Sequence, residues 1–559
     1  MRVPKNILIS ITVASALAGM TGGANADLVI SKKPTSNMNC SGGICNATAA
    51  DAVLNVKDLA KMLAKSDVHV FAEGAATDIT VADPFSWTSS HQLTLGAYGS
   101  LNVKAAITVA GTSGLTITTN VAQTGGLFRL VNVGKISLWD TNSVLVINNT
   151  TYTLVNNLPT LISAIAANPS GVYALAKDYN AAQDGSYLLS PISTTFNGVL
   201  EGLGNAINGL SIYNSDAGET GISLFAQVGS TGQLSDVNLT NVSMQAGGAF
   251  LSPLVFNNSG TVAHCSAAGT LSGLGGAYSL AGLVSWNIGT VTRSRSNINM
   301  DGNAGAAGGL VASDSGTISL SVASGSTKAI NLAGGLVANE SGTIIDSSAQ
   351  GDVSVSSGED AAAGGLVGEL SNGSIQTSFA TGAVQGGTDG PKKLIILHKL
   401  PFKTPGNAVG GLVGISAGAI GYAYATGSVS QGASQGEKLP SVGGLVGQAA
   451  DFDRGSTIFQ AYALGRLSLS GKKFIGGVIG ADHSAPDSND DGFWDFDTTG
   501  VDNPYRGAGN RIKDAGLKGF GDTKFRTAIM SKLDDRVWAE DPKINNGYPY
   551  LIGNPPPPQ

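Results

Sequence analysis

The sequence predicts an all-β protein, a parallel β-helix (β-solenoid) with short capping helices. The first observation is a repeated phrase, Gly-Gly-Leu-Val, which recurs at about thirty-residue intervals in the second half of the chain, and such a period is typical of stacked architectures. The second is composition: 78 glycines with only 13% charged residues exclude a charged disordered chain. The third is a net charge of −7 without a sustained basic run, which argues against a nucleic-acid-binding protein.

The N-terminus predicts export. Arg2 and Lys5 precede an apolar run over residues 7–20, and Ala24-Asn25-Ala26 supplies the small residues of a cleavage site. This pattern predicts a signal peptide over residues 1–26, cut before Asp27. No later run is long and apolar enough to predict a transmembrane helix in the mature chain.

Residues 27–155 are predicted to form an N-terminal β-rich segment that continues the stack. Residues 80–150 alternate between apolar and polar side chains without containing the phrase. Residues 55–64, "NVKDLAKMLA", predict a helix with Asn55 as N-cap. Because open solenoid ends expose strand edges, this helix is expected to cover one of them.

The cysteines fit an oxidising compartment. Cys40 and Cys45 enclose four residues, Ser-Gly-Gly-Ile, a spacing that a disulfide can close. The alternative is two unpaired thiols, and two cysteines are too few for a zinc site. Cys265 is predicted to be a small buried side chain.

Residues 156–215 are predicted to be a lead-in segment with one short helix. Its sequence, "LPTLISAIAANPSG", places Pro159 near the first helical position and Pro169 beyond the end. The helix is expected to separate the leading section from the repeats.

Residues 216–485 contain the repeats. Each unit predicts three short strands separated by turns, in segments too rich in Thr, Ser, Val and Ile for helices. A single unit cannot bury its apolar face, whereas stacked units share a core and pair their strands. The glycine pair permits a sharp corner. The anchors of equivalent position are Leu224, Leu254, Leu283, Leu310, Leu336, Leu366, Leu412, Leu445 and Val478.

Two segments depart from the repeat pattern. Residues 389–406, "DGPKKLIILHKLPFKTPG", are predicted to be a projecting insertion, either a binding element or a surface hairpin without a specific task. Residues 486–559 are predicted to be a C-terminal capping segment with a Pro-rich tail. Within them, "GDTKFRTAIMSKLDD" predicts a helix with Asp522 as its cap.

The units "GGLVGELSNGSIQTSFATGAV" and "GGLVGISAGAIGYAYATGSV" resemble the GLUG motif of bacterial surface and exported proteins. The lead-in "FNGVLEGLGNAINGLSI" and the ending "VWAEDPKINNGYPYL" resemble the segments that flank such repeats. Residues upstream resemble filamentous-haemagglutinin-like exoproteins. The resemblance spans most of residues 40–551 and implies an extended exported protein, often an adhesin.

The aligned units also predict a column of polar side chains. Asn287, Asp314, Glu340 and Glu369 follow their anchors by three or four residues, so they should stack about 5 Å apart. Carboxylates that close raise one another's pKa and could share a cation or perform acid–base chemistry. The alternative is that they are solvated side chains of exposed turns.

A calcium-loop pattern begins at residue 487. "DSNDDGFWDFD" places Asp487, Asn489 and Asp491 as oxygen donors, but Thr498 stands where a bidentate Glu belongs, although Asp495 could contribute. The alternative is a turn between the last coil and the cap. Calcium is the one cofactor that the sequence suggests.

Other catalytic patterns are weak. "GISAG" matches the nucleophile-elbow pattern at Ser416, but the elbow needs a strand-to-helix turn and this serine is predicted to lie between strands. The five histidines have no metal-ligand spacing. We therefore expect a non-enzymatic protein, secreted or on the cell surface, that attaches to a host or matrix glycan or protein surface. The alternatives are a polysaccharide-active enzyme on a parallel β-helix and a purely structural spacer.

Overall fold

The computed structural model describes residues 27–557, except residues 75, 122, 124, 219, 275, 359, 389–406, 433–438, 451–454, 469–472 and 486–487. The predicted signal peptide, residues 1–26, and the predicted insertion, residues 389–406, lie outside the described residues. The predicted fold class is confirmed: the chain is all-β and forms a parallel β-solenoid of about 15 turns with few helices.

Three successive faces make up each coil of the repeat section. Face 1 is a sheet of nine strands, Gly221–Ile222, Phe250–Leu251, Ala277–Ala281, Ala304–Gly308, Leu332–Gly334, Ala362–Gly364, Ala408–Gly410, Ser441–Gly443 and Phe474–Gly476. Face 2 has nine strands, Phe225–Val228, Val255–Asn258, Val284–Asn287, Val311–Asp314, Val337–Glu340, Val367–Leu370, Val413–Ser416, Val446–Ala449 and Ile479–Asp482.

Face 3 follows after a turn. Its strands are Gln233–Ser235, Asn238–Ala246, Thr261–Ala263, Ser266–Gly273, Thr290–Thr292, Arg295–Met300, Thr317–Ser319, Val322–Ala323, Thr343–Ile345, Ser348–Ala349, Ser374–Ala380, Ala419–Ala425, Thr457–Ala463, Asn489–Asp495 and Leu517–Phe520. A four-stranded sheet between faces 3 and 1 contains Thr327–Ala329, Val353–Val355, Val384–Gly386 and Val429–Gln431.

The predicted equivalence of the anchors is confirmed by the register of face 2. The backbone N–H of Leu254 donates to the carbonyl of Leu283, and the same bond links each later anchor to the next, as far as Leu445 and Val478. All of these side chains are fully buried. The first anchor, Leu224, keeps this register because Phe225 pairs with Val255, although the Leu224 N–H donates to the carbonyl of Pro253.

The repeated phrase closes the corner between faces 1 and 2. A Cβ added at Gly410 would lie 2.0 Å from the carbonyl oxygen of Val413, and one at Gly411 would lie 2.2 Å from that of Gly444. At Gly414 the carbonyl oxygen of Gly368 would be 2.5 Å away. The three glycines of Gly-Gly-Leu-Val-Gly are therefore required because backbone approaches backbone too closely for any side chain.

A ladder of serines on successive coils lines the turn within face 3. The backbone N–H of Ser294 donates to Ser321 Oγ at 3.1 Å, that of Ser321 to Ser347 Oγ at 3.1 Å, and that of Ser347 to Ser378 Oγ at 3.1 Å. Each hydroxyl in turn donates to a carbonyl two residues earlier in its own coil. The buried backbone groups of this corner are thereby satisfied by short polar side chains.

The leading section continues the stack, as predicted, around its own hydrophobic core. A five-stranded sheet contains Asp27–Ser31, Val53–Asn55, Asp78–Val81, Leu101–Val103 and Phe128–Leu130, and a three-stranded sheet contains Phe85–Trp87, Ile107–Val109 and Ile136–Leu138. The other strands are Met38–Ser41, Ile44–Ala47, Val68–Ala72, Leu93–Ala97, Gly114–Thr118, Val144–Ile147 and Thr150–Val155.

The lead-in joins this section to the repeats. The hairpin of Val144–Ile147 and Thr150–Val155 is antiparallel, after which parallel pairing resumes. The strands that follow are Val172–Leu175, Tyr179–Asn180, Ser186–Tyr187, Val199–Glu201, Ala206–Asn208 and Ser211–Asn214, with a 3-10 turn at Ala181–Asp184.

The first two helices lie close to where they were predicted. Helix α1, Val56–Leu63, is capped by Asn55, whose side chain accepts from the backbone N–H groups of Lys57 and Asp58. It buries Val56, Leu59 and Leu63 in the core of the leading section. Helix α2, Leu158–Ala167, has Asn157 as N-cap and Pro159 in its first turn.

The C-terminal segment contains two helices, α3 at Phe496–Thr499 and α4 at Asp522–Met530. The predicted cap of α4 is wrong: Asp522 is the first helical residue and Gly521 is the N-cap. The Asp522 N–H is instead bound by the Asp497 carboxylate, 2.7 Å away. Within the described residues, every helix falls short of the length and apolar character that a membrane span needs.

The segment after α4 returns along the side of the coils. A ladder of stacked rings, Phe379, Tyr424 and Tyr462, has centroid separations of 4.8 and 5.2 Å, and Trp538 covers it. The strands Trp538–Ala539 and Tyr550–Leu551 pair after this point, with a 3-10 turn at Asn545–Gly547 between them. Asn554 Nδ2 finally donates to the carbonyls of two earlier coils, those of Ser347 and Thr377.

Candidate functional site

Four aromatic rings form a cluster at the corner between faces 1 and 2 in the early coils. We call Phe250, Phe256, Tyr278 and Trp286 the aromatic patch. The rings of Phe250 and Tyr278 stack with centroids 5.2 Å apart, and Trp286 lies 5.3 Å from Phe250 and 5.4 Å from Phe256. Trp286 is 41% exposed, so the patch presents a large apolar side chain to solvent.

The strand register explains why the patch is confined to these coils. Trp286 pairs with Asn257 in the preceding coil and with Ser313 in the next. A Cβ on Gly221 would lie 2.1 Å from the ring of Phe256, so that glycine leaves the space that the ring occupies. The patch was not predicted from the sequence, although its four aromatic residues fall in two of the units that match the phrase least well.

Such a cluster has a defined binding chemistry. Aromatic rings offer flat apolar faces, and the Trp N–H and Tyr O–H groups add polar edges. Because neighbouring rings hold one another in fixed positions, little side-chain entropy is lost when a ligand stacks on them. The patch is therefore suited to a ligand with both apolar faces and hydroxyl groups.

The predicted polar column is present in part. Asn287, Asp314 and Glu340 occupy equivalent positions on successive coils. Asn258 extends the column by one coil, and its Nδ2 donates to Asn287 Oδ1 at 2.7 Å. Glu369 does not join, because it pairs with Asn339 while Leu370 takes the place opposite Glu340.

The alternative that these side chains lie in exposed turns is wrong. Asn287, Asp314, Glu340 and Glu369 are at most 1% exposed. The first three end strands of face 2 and point inward before the turn begins, and Glu369 sits one residue before such an end. Since solvent does not reach them, they cannot act on an external substrate.

Burial is the main cause of the raised pKa values of these carboxyl groups. It raises the pKa of Asp314 to about 6, against the hydrogen bond that Asn287 donates to the Asp314 carboxylate. Burial also raises the pKa of Glu369 to about 7. The pKa of Glu340 is well above its usual range because the group is buried and faces Asp314. The column is therefore an internal polar ladder whose acids bind protons more tightly than free side chains do.

The predicted calcium residues lie in different surroundings. Asp487 falls outside the described residues. Asn489 and Asp491 belong to a strand, where Asn489 Nδ2 donates to Asp514 Oδ2 at 3.0 Å and Asp491 pairs with Lys518 at 3.4 Å. Asp495 caps α3. Among the described residues, no group of three or more His, Cys, Asp and Glu side chains is arranged to hold a metal ion.

Three other predictions concern single residues. The disulfide between Cys40 and Cys45 is present and joins the two strands of a hairpin. Cys265 is buried, as expected. Ser416 ends a strand of face 2, fully buried, and accepts a hydrogen bond from Ser456 Oγ at 3.0 Å. Its placement in an inter-strand turn was wrong, because the turn starts one residue later.

Comparison with known proteins leaves the family open. No family model matches the chain, and no curated protein does so. Among solved structures, the chain is similar to one described as "IgA1 Protease", with 18% sequence identity and a TM-score of 0.31. The match covers 65% of this chain and 24% of that chain. The resemblance to GLUG-motif proteins thus remains a prediction from the repeats.

Proposed function

We propose that this chain is an exported, non-enzymatic attachment protein, secreted or held at the cell surface, that binds a glycan through the aromatic patch. Three features support the proposal. The N-terminal residues have the pattern of a signal peptide. The repeat section is a continuous parallel stack. The patch places an exposed Trp286 on one side of that stack.

The patch is the observation that carries the proposal. Sugar rings present C–H faces that pack on aromatic side chains, and the hydroxyl groups at their edges remain available for hydrogen bonds. Phe250 and Phe256 buttress Trp286 from two directions, with centroid separations of 5.3 and 5.4 Å. A pre-arranged platform of this kind favours a rigid, ring-shaped ligand such as a saccharide.

One patch on one molecule gives weak binding, and attachment requires many contacts. A display of many copies on a cell or in a matrix raises the overall avidity through effective concentration. The stack suits this task because each coil is hydrogen-bonded to the next in a fixed register, so the patch is held in a constant orientation on a rod.

The test is a binding screen of the purified protein against immobilised glycans and matrix proteins. Trp286→Ala should lower the affinity for a bound glycan at least about tenfold, since aromatic anchors dominate binding energies. Phe459→Ala is the matched control. Phe459 is 39% exposed and contacts Tyr422 on face 3, away from the patch. Equal losses in both variants, or no loss in Trp286→Ala, would contradict the proposal.

Two further measurements address export and the absence of catalysis. Fractionation of the producing cell should place the protein in the envelope or the medium, and retention in the cytosol would contradict export. Incubation with polysaccharides should release no shorter products. Turnover of any of them by the wild-type protein would replace the attachment function with the enzymatic alternative.

A further inference from the structure

A cleft of about 530 Å³ lies where the leading section meets the first repeats. One side of the cleft is formed by the loop around Asn132 together with Gly204. The other side is formed by the corner of face 3, with Asp236, His264, Arg293 and Arg295. A cleft of this volume falls in the size range of small-molecule sites.

The polar side chains reach the cleft because they occupy one corner position. Asp236, His264 and Arg293 have φ of 53°, 53° and 48°, so each turns the chain with a left-handed residue. They follow face-3 strands that are paired in register on successive coils. The corner therefore stacks them about 5 Å apart along the rod.

The arginines are free to bind a ligand. Both Arg293 and Arg295 are exposed, and neither forms an ion pair with a carboxylate of the described residues. Arg129, from the leading section, adds a third positive charge, close enough to act on His264. Burial and the charges of Arg293 and Arg129 lower the pKa of His264 and favour its neutral form.

A pair of carboxyl groups forms the base of the corner. Glu201 is 8% exposed and accepts from the backbone N–H of Leu203. Burial raises the pKa of Asp236 to about 7, and burial with the nearby Asp236 charge raises that of Glu201 well above its usual range. The two groups interact directly through a side-chain hydrogen bond. Near neutral pH the pair therefore holds a proton, and the three arginines outweigh its negative charge.

We propose that this cleft binds the anionic group, a carboxylate or a sulfate, of an acidic saccharide. Arg293 and Arg295 supply the forked N–H donors that planar or tetrahedral oxyanions accept. Asp236, which lines the cleft and accepts a hydrogen bond from the proton held by Glu201, also accepts a hydrogen bond from a sugar hydroxyl. The cleft is positively charged although the whole chain has a net charge of −7. The charge complementarity with an anionic ligand is therefore confined to the cleft.

The site is distinct from the aromatic patch, and the inference does not depend on the proposed function. A saccharide is favoured over a nucleic acid because nucleic-acid binding uses an extended basic surface, whereas this cleft is a single pocket with the acidic Asp236 among its lining residues.

The experiment is calorimetric titration of the purified protein at low salt with three disaccharide probes: a digalacturonate, a sulfated disaccharide and a neutral disaccharide. We expect binding of one or both acidic probes, and the stronger of the two identifies the anion. Arg293→Ala with Arg295→Ala should weaken this binding at least about tenfold, since charge-assisted hydrogen bonds are lost. Replacement of both residues by Lys should retain part of it.

Arg466→Ala is the matched control, because Arg466 is exposed on a later coil. It should bind as the wild type does. Circular dichroism confirms that each variant is folded. Equal affinity for the neutral probe, unchanged binding in the double alanine variant, or equally tight binding of a DNA oligonucleotide would overturn the proposal.

Discussion

The early and late coils of the repeat section close the same corner between faces 1 and 2 in different ways. In the early coils large rings fill the corner, with Phe256 packed over Gly221. In the late coils small residues replace two of these rings: Ala408 is fully buried at the position of Phe250, and Gly414 stands at that of Phe256. A buried Ile415 takes the place of Trp286. The corner is then sealed by contact between backbones.

This difference explains why the repeated phrase is strict in one region and loose in the other. A backbone-closed corner tolerates only glycine, so Gly-Gly-Leu-Val-Gly recurs almost unchanged. A ring-filled corner leaves space for variation, so "SPLVF" suffices there, whereas "AGLVSW" keeps only the glycine Gly282, where an added Cβ would lie 1.8 Å from the Gly309 carbonyl oxygen. The aromatic patch lies where the phrase is weakest, so departures from a repeat consensus can indicate where a solenoid presents side chains for binding.

The largest expected effect comes from a methyl group in the late corner. A Cβ at Gly411 would lie 2.2 Å from the Gly444 carbonyl oxygen and 3.0 Å from Ala425 Cβ. Gly411→Ala should lower the free energy of unfolding by about 3 kcal/mol or more. The control is Gly421→Ala in the same coil, where no atom lies within 4 Å of the added Cβ. It should be neutral or stabilising by about 0.5 kcal/mol.

Urea denaturation followed by circular dichroism measures both variants. If Gly411→Ala and Gly421→Ala unfolded at the same urea concentration, the late corner would not be closed by backbone contact, and the contrast between the two regions would fail.

The next effect concerns the buried carboxyl groups of face 2, which are Asp314 and Glu340 in the internal ladder and Glu369 one residue outside it. Raised pKa values, about 6 for Asp314 and about 7 for Glu369, mean that the folded state binds these protons more tightly than the unfolded state. The resulting stability is present below the ordinary carboxyl pKa and is lost as pH rises through 6 and 7. The free energy of unfolding should therefore fall by about 2 kcal/mol or more between pH 5 and pH 8.

Asp314→Asn combined with Glu369→Gln should weaken this dependence, because neither amide titrates, while the raised pKa values of Glu340, Glu201 and Asp236 preserve the rest. Glu540→Gln, at an exposed position, should preserve it. Urea denaturation at four pH values between 5 and 8 provides the measurement. A stability that rises with pH in the wild type would show that these carboxyls are solvated.

The smallest effect is expected at the patch itself. Trp286→Ser introduces the residue that the next coil has at this position, Ser313. Because Trp286 is already 41% exposed, the variant should lose only about 1 kcal/mol of stability. A loss above about 3 kcal/mol in urea denaturation would identify the ring as a structural element.

The fold was predictable because stacking depends on local rules. The spacing of the anchors and the turn residues between them determine which positions pair, and nearly all anchors are linked as expected. Helix α1 followed from the pattern around Asn55. Asp522 was misplaced because the cap position depends on Asp497, which is supplied by another segment.

The sites were less predictable, because they depend on which way each side chain points and on neighbours that are distant in sequence. Period alone placed Asp314 beside Glu340 but did not show that both point inward. One residue of register separates Glu369 from that column. The cleft combines Asn132 with Arg293, more than 150 residues apart, and only the stacked structure brings these segments together.

The return of the C-terminal segment along the coils has a mechanical consequence. Asn554 is hydrogen-bonded to carbonyls 177 and 207 residues earlier, and Trp538 covers rings from two coils. A solenoid pulled from its C-terminal end could otherwise unravel one layer at a time. Here the contacts of Trp538 and Asn554 must break before the last coils can separate, so these contacts bear the load first when the rod is pulled from this end.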